Sequence, residues 1–172
     1  APGTYNYTVT ITSVDMPTCI SKTVEGILTV NPLPNATISG PTVPVCVDET
    51  ATITFTGSLG TAPYTFEYNI DGGATQTVTS VGSAVVVPVA TNVSGTFIYN
   101  LVSVTDGSST ACTQVLTGVS QTVDVTPPPS LTITNPDPIC EGDTVDLETA
   151  ITPLDSGLTY TYWANITATD LS

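Results

Sequence analysis

Residues 45–53 read VCVDETATI, and residues 139–147 read ICEGDTVDL. Each stretch sets an acidic residue and a threonine three and four positions after a cysteine. An apolar residue then falls at every second position, Ala51 and Ile53 in one and Val145 and Leu147 in the other. Such alternation marks a half-buried strand. The two stretches therefore read as the start of the same strand in successive modules.

The likeness extends along the chain. GTYNYTVTITSVDMPTC (3–19) matches GTFIYNLVSVTDGSSTAC (95–112), NPLPNATISGPTVPVC (31–46) matches TPPPSLTITNPDPIC (126–140), and APYTFEYNI (62–70) matches LTYTYWANI (158–166). The offsets fall at 92–96 residues, the size of one small β-sandwich domain. Cys19 maps to Cys112, and Cys46 to Cys140. Residues 1–31 read as the last strands of a truncated module, 32–126 as a complete module, and 127–172 as the first strands of a third, truncated one. Pro32, Pro34 and Pro127–Pro129 mark the junctions, where proline stiffens a linker and blocks continuation of a strand. The expected whole is a window onto a longer tandem array.

Within the complete module, TATITFT (50–56) places Ala51, Ile53 and Phe55 on one face. YTFEYNI (64–70) does the same with Tyr64, Phe66, Tyr68 and Ile70, and Asp71-Gly72-Gly73 supplies a tight turn of positive φ. Ala84–Ala90 is a short apolar run that Pro88 confines to an edge or a bulge. Phe97, Tyr99 and Leu101 alternate, as Tyr5, Tyr7, Val9 and Ile11 do earlier, and Val115, Val119, Val123 and Val125 close the module. Apart from a short first strand near Ala36–Ser39, about seven strands and no helical period predict an all-β chain of tandem immunoglobulin-like β-sandwich modules.

The composition limits the partners. One lysine, no arginine, no histidine and 15 acidic residues give a formal charge of −14. Such a chain is repelled by phosphate backbones and anionic membrane surfaces, so nucleic acid is not an expected partner. No apolar run is long enough to predict direct membrane insertion. Apolar residues make up 40% of the chain, enough for a core despite only 9% charged residues.

The GTYNYTVTITSVDMPTC segment, the NPLP linker, the VCVDETATI stretch and the GTAPYTFEYNIDGG hairpin resemble the Ig-like or PKD-like repeats of giant surface proteins of Bacteroidota. Such repeats build gliding-motility adhesins and other cargo of the type IX secretion system. PKD domains proper carry a WDFGDG-like stretch where this chain reads YTFEYNIDGG, which places it with the broader sandwich family. The resemblance implies an extracellular location on a bacterial cell surface. Asp143-Thr144-Val145 also resembles the D-S/T-aliphatic O-glycosylation signal of Bacteroidota proteins, with Thr144 as acceptor. The N-x-S/T sequons at Asn6, Asn35, Asn92 and Asn165 read as chance in a threonine-rich chain.

Four cysteines in such a β chain point to structural disulfides in an oxidising compartment. Zinc is a poor alternative without a CxxC or a histidine. Pairing Cys46 with Cys112 inside one module is the simplest count, leaving Cys19 and Cys140 to pair outside the window. Against it stands topology: the first turn and last hairpin of a sandwich lie at opposite ends, and a disulfide needs Cα atoms within about 7 Å. Pairing between neighbouring modules is the alternative.

Candidate chemistry rests on carboxylates. Asp48 and Glu49 are adjacent, but their counterparts Gly142 and Asp143 keep one acid, and a glycosidase pair has no reason to recur by module. Calcium, held by Asp48, Glu49 and Asp71 from two turns at one end of the sandwich, is the stronger reading, although no DxDxDG loop is present. Serine-type catalysis lacks its histidine. A Lys–Asn crosslink lacks a lysine in every module, so Lys22 reads as a surface charge. Trp163 reads as a core residue on a bulge, with a carbohydrate-stacking platform as the alternative. The expected function is non-enzymatic and without a required cofactor, calcium aside. The chain would be a structural and adhesive repeat region of a large surface protein, forming a stalk or filament. Its partners would be neighbouring modules, further copies or surface glycans. The alternatives are a separate filament subunit completed by strand addition between chains, and an accessory module of a secreted polysaccharide-degrading enzyme.

Overall fold

The computed structural model describes residues 1–16, 21–152 and 157–161. The chain is all-β and divides into two compact units, Ala1–Pro127 and Pro128–Ser172. The first unit opens with a hairpin of β1 (Gly3–Ile11) and β2 (Lys22–Val30), paired antiparallel from Gly3↔Val30 to Ile11↔Lys22.

A two-layer sandwich follows. Its strands are β3 (Asn35–Ser39), β4 (Val45–Cys46), β5 (Thr52–Ser58), β6 (Thr65–Ile70), β7 (Gln76–Thr79), β8 (Ala84–Pro88), β9 (Gly95–Thr105), β10 (Thr113–Val115) and β11 (Ser120–Thr126). One sheet has the order β3-β5-β8; the other runs β4-β11-β9-β6-β7, with β10 paired to β9. Neighbours in the sheets are antiparallel except β4, which runs parallel to β11 through Val125↔Val45 and Thr126↔Cys46. Two sheets crossed by connections of this kind form an immunoglobulin-like Greek-key sandwich.

The alternation read from the sequence is the alternation that fills the core. Ala51, Ile53 and Phe55 of the β5 region face Tyr64, Phe66 and Tyr68 of the β6 region, and all six are buried. Phe55 is the hub, its ring centroid 5.6 Å from that of Phe66 and 4.9 Å from that of Tyr68. Tyr99, Leu101, Val123 and Val125 complete the opposing layer. Burial pushes the Tyr68 and Tyr99 phenols above their ordinary range. Asp71 and Gly72 take φ of 53° and 72°, the paired positive angles expected of the turn after β6. β8, with Pro88 at its end, is an edge strand as expected.

Three details depart from the pattern. A bulge on β9 lets Glu67 pair with Ser103 and Tyr68 with Leu101, so Val102 is the extra residue. The alternation changes phase there, and Val104, opposite Phe66, takes the core position. The closing valines do not share one strand: Val123 and Val125 lie on β11, Val119 lies in the turn before it, and Val115 on β10 is exposed.

In the second unit, β12 (Thr132–Ile133) pairs antiparallel with β13 (Ile151–Thr152), preceded by a 3-10 turn at Leu147–Ala150. Asp146 caps that turn by accepting the Glu148 N–H at 2.9 Å.

Truncating the aromatic hub should cost more than trimming a surface strand. Phe55→Ala is expected to destabilise the sandwich by about 3–5 kcal/mol, whereas Val86→Ala, on the exposed face of β8, should stay within about 0.5 kcal/mol. Urea unfolding followed by tyrosine fluorescence measures both.

Candidate functional site

The repeated stretches fold into the same turn. Glu49 N–H donates to the Cys46 carbonyl at 3.1 Å, and Asp143 N–H donates to the Cys140 carbonyl at 3.1 Å. The third residue of each turn has a left-handed backbone, Asp48 at φ 66° and Gly142 at φ 91°. Aspartate and glycine are among the residues that tolerate this region. Their exchange between the two copies follows from conformation, since it keeps the backbone angle and loses the carboxylate. Glu49 has a local role: its Oε2 accepts the Cys46 N–H at 3.0 Å, while its carbonyl accepts the Thr91 hydroxyl at 2.7 Å.

Asp71 also works on the backbone, accepting the Ile98 N–H through Oδ1 at 2.8 Å and donating its own N–H to the Ile98 carbonyl. Both acidic turns lie toward the Gly95 end of β9, where Val125 pairs with Gly95 and Val45. That end is called here the downstream pole. Among the described residues no three His, Cys, Asp or Glu side chains come close enough together to hold a metal ion. A shallow groove of about 510 Å³ runs between the β3–β4 loop and β5, with Glu49 the one carboxylate on its wall.

Cys46 and Cys112 are free thiols. Cys46 sits beside Thr126 at the downstream pole. Cys112 adjoins Thr113, which pairs with Thr105 at the far end of β9. The 11 residues of β9 separate these ends, about 33 Å at 3.3 Å per residue, against the roughly 7 Å a disulfide allows. The bond expected within one module is thus not formed, and strand direction is the reason. Cys140 is a free thiol as well, exposed beside its turn.

The end holding Cys112, the upstream pole, is organised by Asp106. This buried carboxylate accepts the Thr61 N–H at 3.0 Å, the Cys112 N–H at 2.9 Å and the Ser108 hydroxyl at 2.7 Å. It ties the β5–β6 loop to the β9–β10 loop. Gly60 packs so closely that a β-carbon there would lie 2.7 Å from the Asp106 Cβ. Burial alone would raise the Asp106 pKa, but the hydrogen bonds from Ser108, Thr61 and Cys112 outweigh it and hold the carboxyl below its ordinary range. From this loop Thr110 accepts the Asn31 side-chain amide at 2.8 Å, which anchors the linker after β2. Sequence reading missed Asp106, although an acid in the loop after a long alternating strand, followed by Gly-Ser-Ser, was a usable signal of a carboxylate-capped loop.

The β1–β2 hairpin carries an exposed apolar face. Tyr5, Tyr7, Val9 and Ile11 stand on one face with Leu28, Val30 and Val24, and all are exposed. The register Gly3↔Val30, Tyr5↔Leu28, Tyr7↔Gly26 has the spacing of Gly95↔Val125, Phe97↔Val123, Tyr99↔Gln121 between β9 and β11. Gly3 and Gly95 even share a backbone angle, φ 152° and 153°. The surroundings differ: Leu28 is 55% exposed and its counterpart Val123 1%, and Tyr7 is 53% exposed and its counterpart Tyr99 2%.

Thr144 is exposed just after its turn, as are Asn6, Asn35 and Asn92. Lys22 is exposed at the start of β2. Cys19, Trp163 and Asn165 lie outside the described residues.

Asp106→Asn should destabilise the sandwich by about 1–3 kcal/mol at neutral pH, because amide hydrogens would face backbone donors. Since the native carboxyl titrates below the ordinary value of 3.8, its contribution is complete above that value and is lost as pH falls through the lower native one. The difference between wild type and variant, measured by urea unfolding from pH 7 to pH 2, should therefore shrink on acidification. A constant difference would contradict this role.

No protein-family model, no curated protein and no solved structure matches this chain.

Proposed function

We propose that the chain is a structural and adhesive repeat region of a large extracellular protein of a bacterial surface, in which β-sandwich units are strung into a stalk or filament. The observation that carries the reading is recurrence: turn and hairpin geometries reappear at the 92–96-residue offsets of the sequence repeat, with Asp48 matched by Gly142 and Gly95 by Gly3. The work of such a region is mechanical. A sandwich core resists unravelling, proline linkers limit bending, and a charge of −14 keeps the surface solvated. Asn31 on Thr110 supports the same reading, since it holds the linker against the sandwich. Calcium at the downstream pole and glycosylation of Thr144 would be additions to this role.

The test is the size and place of the native polypeptide. Antibody raised to the purified chain should detect, under denaturing and reducing conditions, a species far larger than 17.7 kDa. Protease added to intact cells should remove it. A species near that mass, or one protected until the cells are lysed, would count against the stalk.

A further inference from the structure

We propose that the sandwich is a shear clamp. Tension that enters through residues 31–34 and leaves through residues 127–129 is borne by residues 35–47 and β11, which must slide past each other before the core opens. The source of the tension rests on the stalk reading; the clamp itself rests on the sandwich alone. β3 enters at the upstream pole, where Asn35 pairs with Ser58, and the chain leaves from Thr126 at the downstream pole. The two points of attachment lie at opposite ends of the strands, so a pull between them acts along the strand axis.

The first limb of the sandwich runs beside the last. Val45 and Cys46 lie opposite Val125 and Thr126 as a parallel pair. The same separation of 80 residues sets Pro41 beside Gln121. The Gln121 Nε2 donates to the Pro41 carbonyl at 3.0 Å and to the Thr122 carbonyl of its own strand at 2.9 Å. The Thr126 hydroxyl donates to the Val45 carbonyl at 3.3 Å, and the Val47 N–H donates to the Thr126 carbonyl at 2.9 Å. Gly40 lets the limb cross between the sheets, since a β-carbon there would lie 2.5 Å from the Ile53 Cδ1. Ahead of the crossing, β3 is held to β5 by antiparallel pairs from Asn35↔Ser58 to Ser39↔Thr54. Traction draws this limb toward the upstream pole and β11 toward the downstream pole. Bonds between neighbouring strands lie across the strand axis, so the movement strains them together. A pull across the sheet breaks them one at a time. The buried Val45, Val123 and Val125 add apolar contacts that must part in the same step.

The experiment is single-molecule force spectroscopy on the 172-residue chain, held by tags at its two ends with reductant present. Unfolding of residues 35–126 is recognised by the release of about 300 Å of chain. Lifetime at constant force is the readout, because forced unfolding is governed by the unfolding rate. Gln121→Ala combined with Thr126→Val removes the side-chain bonds between the limbs and should shorten the lifetime by about tenfold. Thr79→Val combined with Thr113→Val removes two side-chain bonds elsewhere, to Thr65 and Thr105. That control should keep the lifetime within about twofold of the wild type, since neither bond joins the limbs that slide. A second arm changes the direction of the pull, with all four cysteines replaced by serine. Gly82→Cys, where a β-carbon meets nothing within 4 Å, moves one attachment to the loop before β8, at the upstream pole. The pull from there to the N-terminal tag unzips β3, β5 and β8, and the lifetime at the same force should fall below that of the end-to-end pull in the same serine background. Equal lifetimes in the two directions overturn the proposal. So does a limb variant as long-lived as the wild type, or a control that shortens the lifetime as much as the limb variant. None of these outcomes reads native size, so the stalk reading stands or falls separately.

Discussion

The long strands of the sandwich each have one apolar face, and that face meets a second layer. The whole structure answers to this constraint. It is met where β5 lays Ile53 and Phe55 against Phe66 and Tyr68, and the centroid distances of 5.6 Å and 4.9 Å around Phe55 mark an aromatic joining of the two sheets. Backbone ladders alone do not order such strands, because pairing in water replaces hydrogen bonds the solvent already supplied. Apolar burial decides the outcome, at about 25 cal/mol per Å². The same sequence pattern behaves differently where, among the described residues, no second layer covers it. β1 and β2 hold their register but keep a wet face, and the Leu147 region, counterpart of β5, forms a 3-10 turn before a two-residue strand.

Polar groups do a narrower job. Glu49, Asp71 and Asp106 each accept a backbone N–H, and each fixes a loop at one pole of the sandwich. Asp106 is the most committed, being buried and holding two loops at once. These bonds explain how so few charges can define both ends of the unit. A charged acceptor makes a stronger hydrogen bond than a neutral one, and a buried one cannot be replaced by water. The upstream pole receives its linker through Asn31 and Thr110, whereas the downstream pole is shaped by the turn that recurs at Cys140.

Period-two alternation made β5, β6 and most of β9 legible, because side-chain sidedness is a local property of an extended chain. Asp-Gly-Gly announced its turn for an equally local reason. What stayed hidden was set by distant parts of the chain. β4 is two residues long and exists because the end of β11 offers it an edge; β7, reading QTVT, carries one partly buried residue and is held by its neighbour β6. The bulge at Val102 cannot be seen in β9 alone, since its function is to re-aim Val104 at Phe66. Counting cysteines by module favoured Cys46 with Cys112, while strand direction, the objection already raised against that pair, sets them at opposite ends of β9. The acidic pair at Asp48-Glu49 drew attention as chemistry, while one member is there for its backbone angle, a distinction only the turn geometry reveals.

Edges complete the account. A sheet edge exposes unpaired N–H and C=O groups, and proteins blunt it with short strands, prolines, bulges or charges. The sandwich uses the first two: β4 and β10 have two and three residues, β8 ends at Pro88, and β3 is bracketed by Pro34 and Pro41. The β1–β2 hairpin uses neither of these two along its length. Its strands are nine residues each, paired without a register shift, and the charges within them are Lys22 at one end and Glu25 on the face opposite Tyr7 and Val9. The two sets of edges therefore differ in construction: those of the sandwich are kept short or closed by proline, and those of the hairpin run through nine residues each.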